Sequence, residues 1–292
     1  MTDMRTEKER ASTWFKSLRD EICANFERLE AEHNTGPNAD KAAGVFELTE
    51  TQRDEGRGGG GLMSVMRGGR LFEKVGVNIS TVHGALNPMM QKSMAARGLA
   101  GIEEDPQFWA SGISLVAHMN SPKVPAVHMN TRMFWTPFAF WFGGGTDLNP
   151  MLPCQEDRDF FHGVLKKCCD QHDPDYYPKF KKWADEYFLI KHWKEARGVG
   201  GIFFDDLNTG NWEQDFLFVQ DVGRAFLEAY LPVVERRKEE SWTEEDRETQ
   251  LIKRGRYAEF NLVYDRGTHF GLQSGHDPSA VLMSLPPVAK WP

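Results

Sequence analysis

Cysteine is scarce in this chain, and the little there is does not pair. Cys23, Cys154, Cys168 and Cys169 are the four cysteines in 292 residues, with no CxxC spacing among them. That pattern argues against a zinc ribbon, an iron–sulfur cluster or a disulfide framework, and for free thiols in a reducing compartment. No uninterrupted apolar run approaches the ~20 residues of a membrane-spanning helix. Positive charge is short as well: 35 Lys and Arg stand against 43 Asp and Glu, a formal charge of −8. The basic face of a general nucleic-acid binder is therefore not expected. The opening MTDMRTEKERASTWF has acidic residues early and no apolar h-region, so neither a signal nor a transit peptide is expected. Nucleotide loops are missing too. GRGGGG at 56–61 is followed by no GK[ST] and is not a GxGxxG turn leading from a strand into a helix, so it is expected to be a flexible surface loop. These absences leave a soluble, cytoplasmic protein with no nucleic-acid partner and no membrane span.

Aromatic residues are abundant, with nine Trp and twenty Phe. Phe15, Leu18, Ile22, Phe26 and Leu29 recur three or four apart, which predicts an opening helix over 5–33. Helices are predicted again over 156–171, 176–196 and 213–239, and near 243–254, where Thr243 and Asp246 make a capping-box-like pair. Between the first two helices the pattern is that of strands: FEKVGVNIS, then GISLVAHMN, a turn at SPKVP, AVHMNTRMFW and PFAFWF. GIFFDD and YAEFNLVYD are read as two later strands, the second from the alternation of Phe260, Leu262 and Tyr264 with Glu259 and Asn261. Strands in hairpin-like groups among long helices predict an α+β fold: one domain, 1–292, with a single large, mainly antiparallel sheet flanked on both faces by helices.

Two stretches carry chemistry. Residues of a strand point to alternate faces, so in AVHMNTRMFW the side chains of His128, Asn130 and Arg132 share one face and Val127, Met129, Thr131, Met133 and Trp135 the other. Ser114, Val116 and His118 share a face of the preceding strand. If the hairpin brings the polar faces together, Ser114, His118, His128, Asn130 and Arg132 form a wall of donors suited to an anionic ligand, because guanidinium forks onto carboxylates. The plainer alternative is a solvated sheet face. The second stretch is WFGGGTDLNP. Three successive glycines cost backbone entropy and supply no packing, so they mark either a bend or a place where something lies close against the backbone.

FEKVGVNIS, GISLVAHMNSPKVPAVHMNTRMF, WFGGGTDLNP, YPKFKKWADEYF, RGVGGIFFDDL, IKRGRYAEFNLVYDRGTHFGLQ and LMSLPP follow one another in this order. In that order they resemble the oxygen-dependent coproporphyrinogen III oxidase family over nearly the whole chain. The resemblance implies oxidative decarboxylation of two propionates of coproporphyrinogen III to vinyl groups by molecular oxygen, giving protoporphyrinogen IX, in a homodimer whose subunit is a flat antiparallel sheet between helices. It implies that His128 is a proton donor and that Ser114, Asn130, Thr131 and Arg132 contact substrate. Asp147 and Arg197 are implied in substrate binding or decarboxylation. Asp147 is expected to accept from pyrrole N–H groups, Gly143, Gly144 and Gly145 to let backbone approach the ligand, and Gly275 to match a substrate-contacting glycine. His118, His128, His162 and His192 match the four histidines proposed as metal ligands in bacterial members, with manganese the candidate metal.

On its own residues, His162 falls with Arg158 and Lys166 on a polar helix face, and His192 beside Trp193 reads as a packed or capping residue. Turnover is accordingly expected to need only substrate and oxygen. Asp205 and Asp206 are adjacent in a strand, so at most one can reach a given site. The chain departs from the family's usual LQTGGR-like stretch at GLQSGHDPSAVLMSLPP, where Gly275 is kept and His276 and Asp277 replace the rest. Two other functions stay open: a tetrapyrrole-binding protein without catalysis, and a metal-dependent carboxylate-processing enzyme built on the four histidines.

Overall fold

Alternating apolar and polar residues over 72–149 force a sheet with one oily and one polar side, and the chain builds it as a meander. The computed structural model describes residues 4–53, 58–96, 98–273 and 275–292. Strands β1 (Glu47–Gln52), β2 (Gly58–Arg67), β3 (Phe72–Ala85), β4 (Gln107–Met119), β5 (Ala126–Trp135) and β6 (Phe140–Asn149) pair in sequence order. A small hairpin, β7 (Leu189–Ile190) and β8 (Glu195–Ala196), stands apart, and β9 (Gly200–Leu207) adds to β6 as the seventh strand of the main sheet. Every neighbouring pair is antiparallel. The helices are α1 (Arg5–Glu32), α2 (Pro88–Ala96), α3 (Gln155–Asp170), α4 (Tyr176–Tyr187), α5 (Trp212–Arg237), α6 (Glu244–Val263), α7 (Arg266–Gln273) and α8 (Pro278–Val281), the last running into a 3₁₀ turn at Leu282–Ser284.

The oily face carries the main core. Val75, Val77, Leu115, Val127, Met129, Met133 and Phe204 pack there against the α1 residues Phe15, Leu18, Ile22, Phe26 and Leu29, and against α3 and α5. Each such side chain, fully buried, contributes about 1.5–3 kcal/mol, so this face supplies the larger part of what holds the sheet to its helices. The polar face is covered differently. At its far end Val82, Phe108 and Phe134 pack with Ile102 and with Met90 and Met94 of α2. At the β9 side Phe203 packs with Ala184, Phe188 and Phe260 from α4 and α6. Along β3 and β4 the 3₁₀ turn is pinned by Lys74 and His118, which donate to the Leu285 and Ser284 carbonyls at 2.8 Å each. The space left in the middle is a cavity.

Several expectations hold to within a residue or two. The opening helix, the helices over 156–171 and 213–239, and the Thr243–Asp246 capping box are all present. Others are corrected. YAEFNLVYD is not a strand but the second half of α6. The buried positions of this helix, Gln250, Leu251, Arg254, Gly255, Tyr257, Ala258, Phe260 and Asn261, recur three and four apart along one face, and of the alternation's inside residues Phe260 is buried while Leu262 is exposed. A helical period carried by polar residues was hidden behind a short apolar alternation. The helix expected over 176–196 stops at Tyr187, and His192 lies in the turn of the β7–β8 hairpin, where Lys194 takes a positive φ of 53°. Of GRGGGG, 56 and 57 lie outside the described residues, and Gly58–Gly61 form part of β2 rather than a loop, all four paired with β3 and Gly60 and Gly61 also with β1. A Cβ on Gly60 or Gly61 would come 2.3 or 2.4 Å from a neighbouring carbonyl oxygen, so glycine is what lets β1, β2 and β3 close up here.

Candidate active site

The register of the central strands assembles the site. Ser114 pairs with Asn130, Val116 with His128 and Gly112 with Arg132 across β4 and β5, so the two polar faces coincide. Across β5 and β6, His128 stands opposite Asp147, Asn130 opposite Gly145 and Arg132 opposite Gly143. Above this surface lies a cavity of about 570 Å³, the size of a small-molecule site. Ser114, His128, Asn130 and Arg132 line its floor, Phe134, Trp141, Met90 and Met94 its far wall, and Arg266, Phe270, His276, Asp277 and Met283 its cover. The solvated-face alternative does not hold.

His128 is held from both ring nitrogens. Its Nδ1 is 2.8 Å from Asp147 Oδ1 and its Nε2 is 3.1 Å from Asn130 Nδ2. An ionised carboxylate can only accept, so Nδ1 carries the proton and Nε2 accepts from the Asn130 amide at the cavity wall. Asp147 itself is 1% exposed and is not among the described residues that line the cavity. Arg197 Nη2 donates to its two oxygens at 2.7 and 2.8 Å, and Asn149 Nδ2 donates to Oδ2 at 2.9 Å. Burial alone would raise the Asp147 pKa, but the Arg197 charge and the His128 hydrogen bond outweigh it and hold the carboxyl at about 2. Arg197 is sandwiched between the rings of Phe188, Phe260 and Tyr257, 4.2, 4.7 and 4.8 Å from their centroids, and donates to Asn261 Oδ1 at 2.9 Å. Asp147 is thus a buried anchor under His128 rather than a surface open to a ligand.

The other expected residues fall as follows. Thr131 belongs to the core-facing side of β5, fully buried with its hydroxyl unpaired, and borders the cavity between Asn130 and Arg132. Gly144 and Gly145 lie mid-sheet and are not among the described lining residues. A Cβ there would come 2.7 Å from Asn130 O and 2.3 Å from Ile202 O respectively, so these two glycines let three strands pack. Gly275 takes a left-handed φ of 74° in the turn after α7, and His276 and Asp277, the two departures from the family pattern, line the cavity beside it.

The four histidines do not converge. His118 is buried against the Ser284 carbonyl, and burial, with Arg254 nearby, lowers its pKa to about 3. His162 is not on a polar face: it is buried, donates to Val199 O at 2.9 Å and accepts from the Tyr177 hydroxyl at 3.0 Å. His192 bonds Tyr264 and Glu259, each at 2.7 Å. Among the described residues no group of three or more His, Cys, Asp or Glu side chains is placed to hold a metal ion. These side chains do not fit a shared manganese site.

Asp205 is the residue whose place sequence reasoning underrated. The register shifts between β6 and β9 at Phe142/Gly144, so two β9 residues, Asp205 and Asp206, face the single Gly143. Asp205 is thereby buried on the cavity wall, bonded to Arg132, while Asp206 is exposed. The adjacency of Asp205 and Asp206 limited the site to at most one of them without saying which, because a bulge is set by the partner strand and is not written in the pair itself.

A family model described as coproporphyrinogen III oxidase matches residues 10–292 of the chain. The oxygen-dependent coproporphyrinogen-III oxidase of Rickettsia bellii (strain RML369-C) is 52% identical over 284 residues, 97% of this chain and 98% of that protein. The enzymes of the same name from Rickettsia peacockii (strain Rustic) and Rickettsia conorii (strain ATCC VR-613 / Malish 7) are each 51% identical over the same share of both chains. A resemblance carried by motifs thus extends over the full sheet, its helices and the cavity they enclose. The chain belongs to the coproporphyrinogen III oxidase family.

Proposed function

We propose that this chain catalyses the oxygen-dependent decarboxylation of two propionates of coproporphyrinogen III to vinyl groups, giving protoporphyrinogen IX in haem biosynthesis. Each step turns a –CH2CH2COO⁻ group into –CH=CH2, releasing CO2, a proton and two electrons that molecular oxygen accepts. The observation that carries the reading is the cavity floor: a hairpin presents Ser114, His128, Asn130 and Arg132 side by side beneath aromatic walls. A macrocycle with an apolar body, pyrrole N–H groups and peripheral carboxylates needs that mixture.

Within this reading Arg132 takes a propionate through its guanidinium fork. Asn130 and Ser114 lie beside it to hold the ligand's polar edge. His128 presents Nε2 at the wall, the atom through which a proton is exchanged with substrate, while Asp147 fixes the tautomer and the ring's orientation. Asp147 holds that geometry from below rather than touching the pyrroles, and Arg197, which itself borders the cavity, fixes Asp147. The aromatic walls keep water from the reacting propionate, which strengthens each charge interaction there.

No bound cofactor enters this reading, and oxygen is the co-substrate. No helix among the described residues is long and apolar enough to cross a membrane; we place the enzyme in the cytoplasm as a homodimer, following the family, and light scattering giving one chain mass would count against the dimer. The deciding experiment incubates the purified protein with coproporphyrinogen III, with and without oxygen and with and without prior dialysis against chelator. Vinyl product that depends on oxygen and survives the chelator is the expected result. Binding without turnover would make the chain a tetrapyrrole carrier. Activity lost to the chelator and restored by one metal would reinstate a metal-dependent mechanism.

A further inference from the structure

Arg132 is not a free fork waiting at the wall. Its guanidinium bonds Asp205 Oδ1, and the other carboxylate oxygen, Oδ2, is 3.2 Å from Arg266 Nη2 of α7. The pair spans β6 from β5 to β9, and it crosses at Gly143. A Cβ on Gly143 would come 3.0 Å from the Arg132 guanidinium and 3.1 Å from Asp205 Oδ1, so the first glycine of the triplet is the floor under this ion pair. Asp205 is mostly buried while Arg132 is about a third exposed and Arg266 about half. The carboxylate is therefore the enclosed member, fixed by its burial, and the two arginines are the members with room on their solvent or cavity side. Arg266 is placed to keep Asp205 company in Arg132's absence, since its guanidinium also lies over the Tyr187 ring, 5.0 Å from the centroid.

We propose that Asp205 is a resident counter-ion that competes with the substrate's carboxylate for Arg132 and so limits how tightly that carboxylate is held. The inference rests on the reading of Arg132 as a propionate anchor. A propionate reaching Arg132 takes the guanidinium over, and Asp205 keeps Arg266. When the propionate is lost as CO2, Arg132 returns to Asp205. No cation is then left unpaired beside a newly apolar vinyl group, a state that burial makes costly. Asp205 is a positioning residue in this scheme: it need not touch the macrocycle, and it acts through Arg132.

The test is a fluorescence titration with coproporphyrin III, which keeps the carboxylates and is not turned over, on the intact protein and on Asp205→Asn, Asp206→Asn and Arg132→Gln. Removing the competing charge is expected to tighten binding in Asp205→Asn by about fivefold, the scale of one part-exposed ion pair. Asp206→Asn should match the parent, Arg132→Gln should bind more weakly, and Asp205→Glu, which keeps the charge, should return affinity toward the parent value. In turnover Asp205→Asn should lower KM without raising kcat. Unchanged or weaker binding in Asp205→Asn, alongside weakened Arg132→Gln, overturns the counter-ion and leaves the propionate anchor standing. Parent-like binding in Arg132→Gln overturns both. Should Asp205→Asn not fold, Asp205→Ser is expected to tighten binding in the same way, and unchanged or weaker binding there overturns the counter-ion equally.

Discussion

Asp147 and Arg197 meet through two hydrogen bonds of 2.7 and 2.8 Å from one guanidinium nitrogen, with side chains only 1% and 2% exposed. Such a pair is held because each charge is the other's opposite charge in a place water does not reach, and breaking it by removing one partner costs about 3–5 kcal/mol. Asp147→Asn is expected to lose stability on that scale in urea denaturation. It should also lose turnover, because His128 keeps a neighbour at Nδ1 but not a carboxylate. Adding Arg197→Met to Asp147→Asn should recover much of the stability and none of the rate. Recovery of both would mean that the pair serves the fold alone.

Acid should weaken the protein well before its carboxylates titrate. In the unfolded chain His118 takes its proton near the usual 6.5; in the folded protein burial delays this to about 3. Between those values the unfolded state binds the extra proton, so stability falls as pH falls through that window, by up to roughly 1.4 kcal/mol per pH unit. His162, also pushed down by burial, acts in the same direction. Asp147 enters later: held at about 2, its stabilising pair is intact above the ordinary carboxylate range and is lost only as pH drops from about 4 toward 2. Melting curves from pH 7 to pH 4.5 should show the first effect, and His118→Asn should flatten the slope. An unchanged slope in that variant would rule His118 out as its source.

Two glycine-to-alanine changes should behave oppositely. Gly163 lies in α3 with nothing within 4 Å of a new Cβ, so Gly163→Ala is expected to stabilise by about 0.5–1 kcal/mol with no effect on turnover. Gly143→Ala places its methyl against the ends of Arg132 and Asp205, of which the more exposed Arg132 can yield. Its melting temperature should therefore change little while KM moves. Equal effects of the two on KM would show that the floor at Gly143 does not set the Arg132 position.

Glu30 offers a prediction away from the cavity. Its carboxylate is fully buried and accepts backbone N–H groups from Gly44, Arg70, Leu71 and Phe72 at 2.7–2.9 Å, tying α1 to the turn before β3. Glu30→Gln turns one acceptor into a donor facing those N–H groups and should cost about 1–3 kcal/mol. Activity per folded molecule should stay unchanged, measured at a temperature well below the melt.

By itself the sequence determined the architecture of the oily face and the makeup of the polar one. The period of Phe15 to Leu29 makes α1, and the alternation of 127–133 makes β5 and sends His128, Asn130 and Arg132 to a common side. Both follow from local geometry, in which side-chain direction repeats every 3.6 or 2 residues. The motif order likewise sufficed to mark the family. What only the tertiary structure decided are relations between strands and helices remote in the chain. Whether Asp147 faces a ligand or lies beneath His128 depends on Arg197, fifty residues away, filling the space beside it. Whether 257–263 is strand or helix depended on which of its residues found a partner layer, and β9 already occupies the open edge of β6. The glycine triplet was legible as a place of close approach, but not what approaches. Gly144 and Gly145 admit neighbouring strands, and Gly143 admits an ion pair whose members come from β5 and β9, aligned by a bulge that neither strand specifies alone.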